Sequence, residues 1–195
     1  MGAGLTARAG MHDDPLTSGD GTDQTGAATP LALALRRLDE ARVRYVVVEH
    51  PPTYTAADEA DATRRPRRTT AKTIVLLDHD RVRLVVIPAN RRLDLERARH
   101  ALGADSHLRL ATEDEAAARF PAFEVGAVPI FAAGSTPEVV DSRLIYRDQI
   151  LCAAGDHRHS VILNSRDLLA LMEPRVADIC VPEPGEHRFA ELPRV

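Results

Sequence analysis

The sequence predicts one α+β (mixed α/β) domain over about residues 30–180. Three observations predict it. Apolar runs of strand length, at 45–49, 73–77, 82–87 and 159–163, intermix with stretches of helical periodicity in no regular βαβ order. Two of those runs flank Asp78-His79-Asp80-Arg81, a hairpin signal that favours antiparallel pairing. At 195 residues the chain suits one core plus tails, and no internal repeat divides it.

Taken in order, residues 1–29 are rich in Gly, Thr and Asp without periodicity, and are expected to form a disordered tail. Thr29-Pro30 supplies a cap and a first-turn proline, and Leu31, Leu35 and Leu38 recur at helical spacing, so 30–43 reads as an amphipathic helix. The strand YVVVE at 45–49 ends at His50-Pro51-Pro52. Thr55 caps a short alanine-rich helix reaching about Thr63, and the loop Arg64-Arg65-Pro66-Arg67-Arg68 follows. The run TIVLL at 73–77 is apolar throughout, as expected of a strand covered on both faces.

Pro88-Ala89-Asn90 breaks the chain before a helix at 93–102, which Gly103 stops. Thr112 and Glu115 have capping-box spacing and open a helix ending near Phe120-Pro121. A loop covers 124–131. Strands are expected near 138–145, 148–153 and 159–163, then a helix at 165–172. Residues 181–195 are Pro- and Glu-rich and read as a second tail.

Composition narrows the function. Two cysteines, Cys152 and Cys180, are too few for a disulfide framework, and no stretch has the length of a signal core or a membrane span. The expected location is the cytoplasm. A net charge of −4 argues against a protein that coats nucleic acid, and DNA is not an expected partner. Residues 36–99 nevertheless hold 15 basic and 10 acidic side chains, which permits one basic face on an acidic body. Of the 25 basic residues 24 are arginine, so Lys72 stands out as a position where a guanidinium does not obviously serve.

Several chemistries lack their residues. The chain has no G-x-S-x-G elbow, Walker loop, G-x-G-x-x-G, H-E-x-x-H or paired C-x-x-C. Cys152, His157 and His159 have spacing that can hold a metal, but Gly155, Asp156 and Arg158 among them suit an exposed turn. Cys152 within an apolar strand reads as inert packing. Arg64, Arg65, Arg67 and Arg68 read as a solvated loop or as phosphate contacts. Lys72, just before the apolar strand, is either an exposed strand-start lysine or a desolvated ammonium facing a carbonyl oxygen or phosphate.

Ala71-Lys72-Thr73-Ile74-Val75-Leu76 resembles the A-K-T/A-hydrophobic signature of the YbaK/prolyl-tRNA-synthetase-associated editing domain. Gly126-Ala127-Val128-Pro129-Ile130-Phe131 resembles that family's glycine loop, with Ile130 where many relatives carry a second proline. His50-Pro51-Pro52 before the Thr55 helix, and Ala154-Gly155 before the last strand, also fit. The resemblance spans about 30–180. It implies a single mixed, mostly antiparallel sheet or partial barrel wrapped by helices. It also implies a freestanding enzyme that hydrolyses the ester of a mischarged aminoacyl-tRNA, on proline-family tRNAs and without metal or cofactor. On that resemblance Lys72 is the catalytic residue, and Gly126, Ala127, Val128, Pro129, His50, Thr55 and Gly155 line the substrate site. Arg64, Arg65, Arg67 and Arg68 contact tRNA phosphates, and a synthetase is a possible partner. A non-catalytic module binding tRNA ends or a synthetase is the alternative.

Overall fold

Two antiparallel hairpins, one in each sheet, organise the strand pairing. A computed structural model describes residues 7–9, 28–131 and 137–184. In the first hairpin, β3 (Ala71–Asp78) and β4 (Arg81–Pro88) pair in full register from Ala71 opposite Pro88 to Asp78 opposite Arg81. His79 takes a positive φ of 55° in the two-residue turn between them, a conformation hairpin turns need. In the second, β7 (Gln149–Ala153) pairs with β8 (His159–Asn164).

Around these build two sheets. One runs β1-β2-β8-β7, where β1 is Ala7–Ala9 and β2 is Tyr45–Glu49, all antiparallel. The other runs β5-β3-β4-β6-β9, adding β5 (Arg109–Leu110), β6 (Val139–Asp141) and β9 (Arg175–Ala177), with β6 and β9 parallel to their neighbours. The architecture is α+β as predicted, but the single sheet or partial barrel expected is divided. The two sheets meet where Thr70 bridges Leu151 and do not close.

One core lies between the sheets. Ala71 and Val86 from the first hairpin pack there with Ile150, Cys152, Val161 and Leu163 from the second. Helix α1 (Pro30–Glu40) contributes Ala34 and Leu38, and Thr29 caps it as predicted. The other face of β3 and β4 carries a second cluster, with Ile87, Val85 and Leu76 packed against Ala98 of a helix at Leu95–Leu102, Ile179 and Cys180. Apolar cover on both faces explains the unbroken apolar run at 73–77.

Differences from expectation have local causes. The strand expected over 138–145 stops at Asp141, whose carboxylate accepts from the Arg143 and Ile179 N–H groups and starts a helical turn at Ser142–Ile145. Three residues of the segment read as a tail form β1 on the edge of β2, where backbone groups alone make the pairing. Residues 1–6, 10–27 and 185–195 of the expected tails lie outside the described residues. The short alanine-rich helix is α2 (Ala56–Ala62), capped by Thr55.

The capping box opens the helix at Glu113–Arg119, with Thr112 and Glu115 bonded to each other's backbone N–H. Thr112→Ala is expected to cost about 1 kcal/mol. A lower urea midpoint at unchanged slope is the check. Among the described residues no helix is long and apolar enough to cross a membrane.

Candidate functional site

Lys72 is the second residue of β3, opposite Ile87, on the face that carries Cys180. Its ammonium is half-buried, and burial lowers its pKa, an effect that only an ionised Cys180 would oppose. Burial, then Asp141, pushes that thiol up, so Cys180 is neutral. Among the described residues no carboxylate ion-pairs with Lys72. A half-buried charge without a partner opposes folding, so an outside anion or oxyanion is the natural complement.

A second group of residues converges from three loops. Glu124 to Ala127 form a turn closed by the Ala127 N–H on the Glu124 carbonyl, 2.9 Å. Gly126 is its third residue with φ +84°, the conformation a type II turn demands there. A Cβ on Gly126 would lie 3.5 Å from the Tyr54 carbonyl oxygen, so the 50–55 segment passes directly beside this turn. Glu124 ties the turn to the loop after β7, with its N–H on the Gly155 carbonyl (2.9 Å) and its carboxylate accepting from the His157 N–H (2.8 Å). The His157 carbonyl accepts from Thr53, and its ring lies 4.7 Å from that of Tyr54, which is 71% exposed.

The glycine loop divides sharply. Gly126 and Val125 face solvent, whereas Ala127, Val128, Pro129, Ile130 and Phe131 are buried. Ile130 and Phe131 pack with Ala71 and Val86 in the core between the sheets, on the face of the hairpin opposite Ile87 and Cys180. The hairpin thus runs between Lys72 and the loop's apolar half. The isoleucine in place of a second proline is a core side chain, not a lining of an open pocket.

Other expected site residues are occupied within the protein. Thr55 caps α2 and donates to the Asp58 carboxylate at 2.7 Å. Gly155 has φ +103°, and a Cβ there would meet the Pro30 carbonyl oxygen at 2.9 Å. His50 is buried with both ring nitrogens engaged, Nδ1 with the Pro51 carbonyl oxygen and Nε2 with Ser160 Oγ, each at 2.8 Å. Ser160 Oγ in turn lies 2.5 Å from Glu59 Oε1. Glu59 is buried on α2, and burial raises its pKa to about 7 against the lowering effect of the Ser160 bond.

The arginines are a surface group. Arg67 is paired with Asp61, Arg65 reaches Gln149, and Arg64 and Arg68 are exposed. They lead directly into β3 and so stand a few residues from Lys72. Cys152, His157 and His159 do not assemble. The thiol is fully buried with its pKa raised well above normal, His157 faces Glu124, and His159 is held by Asp156. Among the described residues only His79, Asp105 and His107 have metal-ligand spacing. All three are exposed at the far end of the first hairpin, with Asp105 bonded to both rings.

Sequence reasoning missed Glu59, Ser160, Glu124 and Tyr54, and weighed His157 only as a metal ligand. A signal existed for Glu59, which shares the inward face of α2 with Ala60 and, just beyond it, Thr63. Ser160 sits among apolar strand residues, where a hydroxyl needs a partner.

The site thus offers a half-buried cation with no ion-pair partner among the described residues, a surface arginine group just before it in the chain, and, beyond the hairpin, an exposed backbone turn. A family model described as "Aminoacyl-tRNA editing domain" matches residues 50–171, and the chain belongs to this family. A solved structure of a candidate trans-editing enzyme for prolyl-tRNA synthetase aligns with a TM-score of 0.69 at 25% identity, covering 80% of this chain and 99% of that one. Two others share the fold. A scaffold from computational epitope grafting aligns at TM-score 0.69 and 24% identity over 80% of this chain and all of its own. A hypothetical protein aligns at 0.68 and 24% over 75% of this chain and 98% of its own. No curated protein matches.

Proposed function

We propose that the chain is a deacylase that hydrolyses the ester joining a wrongly attached amino acid to tRNA. The observation that carries this reading is the half-buried Lys72 ammonium, which has no ion-pair partner among the described residues. An aminoacyl ester needs no protein nucleophile, because its carbonyl is already reactive. Water adds to the carbonyl carbon, negative charge collects on the former carbonyl oxygen, and the bond to the ribose oxygen then breaks as that oxygen takes a proton. A fixed cation lowers the barrier by meeting the charge where it develops. Lys72 is the proposed group, acting on that oxygen or on the terminal phosphate.

Arg64, Arg65 and Arg68 are proposed phosphate contacts, with Arg67 less available because Asp61 holds it. The exposed Gly126 turn and Tyr54 are proposed to receive the aminoacyl-adenosine end. The structural relative, a candidate trans-editing enzyme for prolyl-tRNA synthetase, supports a tRNA of the proline family and a synthetase as working partners, and the cytoplasm is the proposed place of action. The test is a panel of tRNAs, proline tRNA included, each carrying a wrong labelled amino acid. Ester loss above the uncatalysed rate on at least one member is expected. Tight binding with no ester loss on any would replace the deacylase with a non-catalytic binder of tRNA ends.

A further inference from the structure

His50, Ser160 and Glu59 obey a strict proton count. The Pro51 oxygen only accepts, so His50 Nδ1 carries a proton and donates to it. Ser160 Oγ then makes two contacts, to His50 Nε2 and to Glu59 Oε1, with one proton of its own. Both can be hydrogen bonds only if a second proton comes from a neighbour. Either Glu59 is a neutral acid donating to Oγ while Oγ–H donates to Nε2, or Nε2–H donates to Oγ while Oγ–H donates to a carboxylate. The two forms interconvert when each proton moves along its own hydrogen bond, and neither gains nor loses one. Without the extra proton, one contact sets lone pair against lone pair in a buried site.

We propose that Glu59, Ser160 and His50 are positioning residues: a buried relay holding one extra proton that fixes the 50–55 segment as one wall of the ester site. His50 opens that segment, its N–H bonded to the Arg158 carbonyl, and the segment ends beside Gly126. The surroundings leave the relay to itself. Cys152, which also faces Glu59, is a neutral thiol, and among the described residues no arginine or lysine ion-pairs with the carboxyl. His159 beside Ser160 is held by Asp156, His157 by Glu124, and Asp58 and Asp61 of α2 turn outward to Thr55 and Arg67.

The inference rests on the deacylase reading only for what the wall faces, so the test has an arm without substrate. Glu59 is raised from 4.5 to about 7 on folding, hence its share of stability is full below pH 4.5 and is lost as pH rises through about 7. The wild-type melting temperature should fall by about 5 °C or more across that window. In Glu59→Gln the amide N–H replaces the acid O–H toward Ser160 and cannot titrate, so this fall should vanish. In the deacylation arm, Glu59→Ala and Ser160→Ala should lose about tenfold or more in kcat/KM. Glu59→Gln should recover most of that loss at pH 7 and lack the wild-type decline above it. A Glu59→Gln protein that keeps the wild-type pH slope of melting overturns the relay, as does one equal to Glu59→Ala in both arms. If no ester is cleaved by any variant, the melting arm alone decides the relay, and only the functional reading falls.

Discussion

Replacing Lys72 by alanine is expected to lower single-turnover deacylation about 100- to 1000-fold, the loss typical when one group aimed at a developing oxyanion is removed. The same change should leave melting temperature equal or higher, because it deletes a half-buried charge that no carboxylate among the described residues compensates. Loss of rate without loss of stability separates a substrate-facing cation from a structural one. Lys72→Arg keeps the charge but brings a planar fork into a place bounded by Ile87 and Cys180, so it should restore little. Wild-type rates in Lys72→Ala would remove the lysine from the mechanism.

Gly155→Ala is expected to destabilise the fold by about 3 kcal/mol or more, read from urea unfolding. The residue has φ +103°, which L side chains rarely adopt, and the new Cβ would sit 2.8 Å from Phe123 Cδ1 and 2.9 Å from the Pro30 oxygen. Neither relief is cheap, since Pro30 is the first residue of α1 and Phe123 packs on the core. Gly103→Ala provides the contrast. Its φ is +61° with no atom within 4 Å of the added carbon, so it should cost only about 1 kcal/mol. Equal losses at the two positions would refute the close packing at Gly155.

Local signals in the sequence located what local physics decides. Thr29-Pro30, Thr55, and the Thr112 and Glu115 pair each start a helix where their capping chemistry places it. The hairpin was legible because two apolar runs flank a turn. The division into two sheets was not, since it depends on Thr70 meeting Leu151 across 81 positions of chain. The short strands at Arg109–Leu110 and Arg175–Ala177 carry too few residues to show a period. At the site, Lys72 was visible by its rarity and Gly126 by its loop. Glu59 and Ser160 acquire meaning only from each other, 101 positions apart.

The partition of the glycine loop bears on how such a protein can diversify. Residues Ala127 to Phe131 answer to the hydrophobic interior, so mutational drift there is filtered by folding before any ligand is sampled. Val125 and Tyr54 are exposed at the same turn and escape that filter. A lineage changing its preferred amino acid would therefore be expected to write the change at these two positions, while the buried half of the motif records only the history of the core.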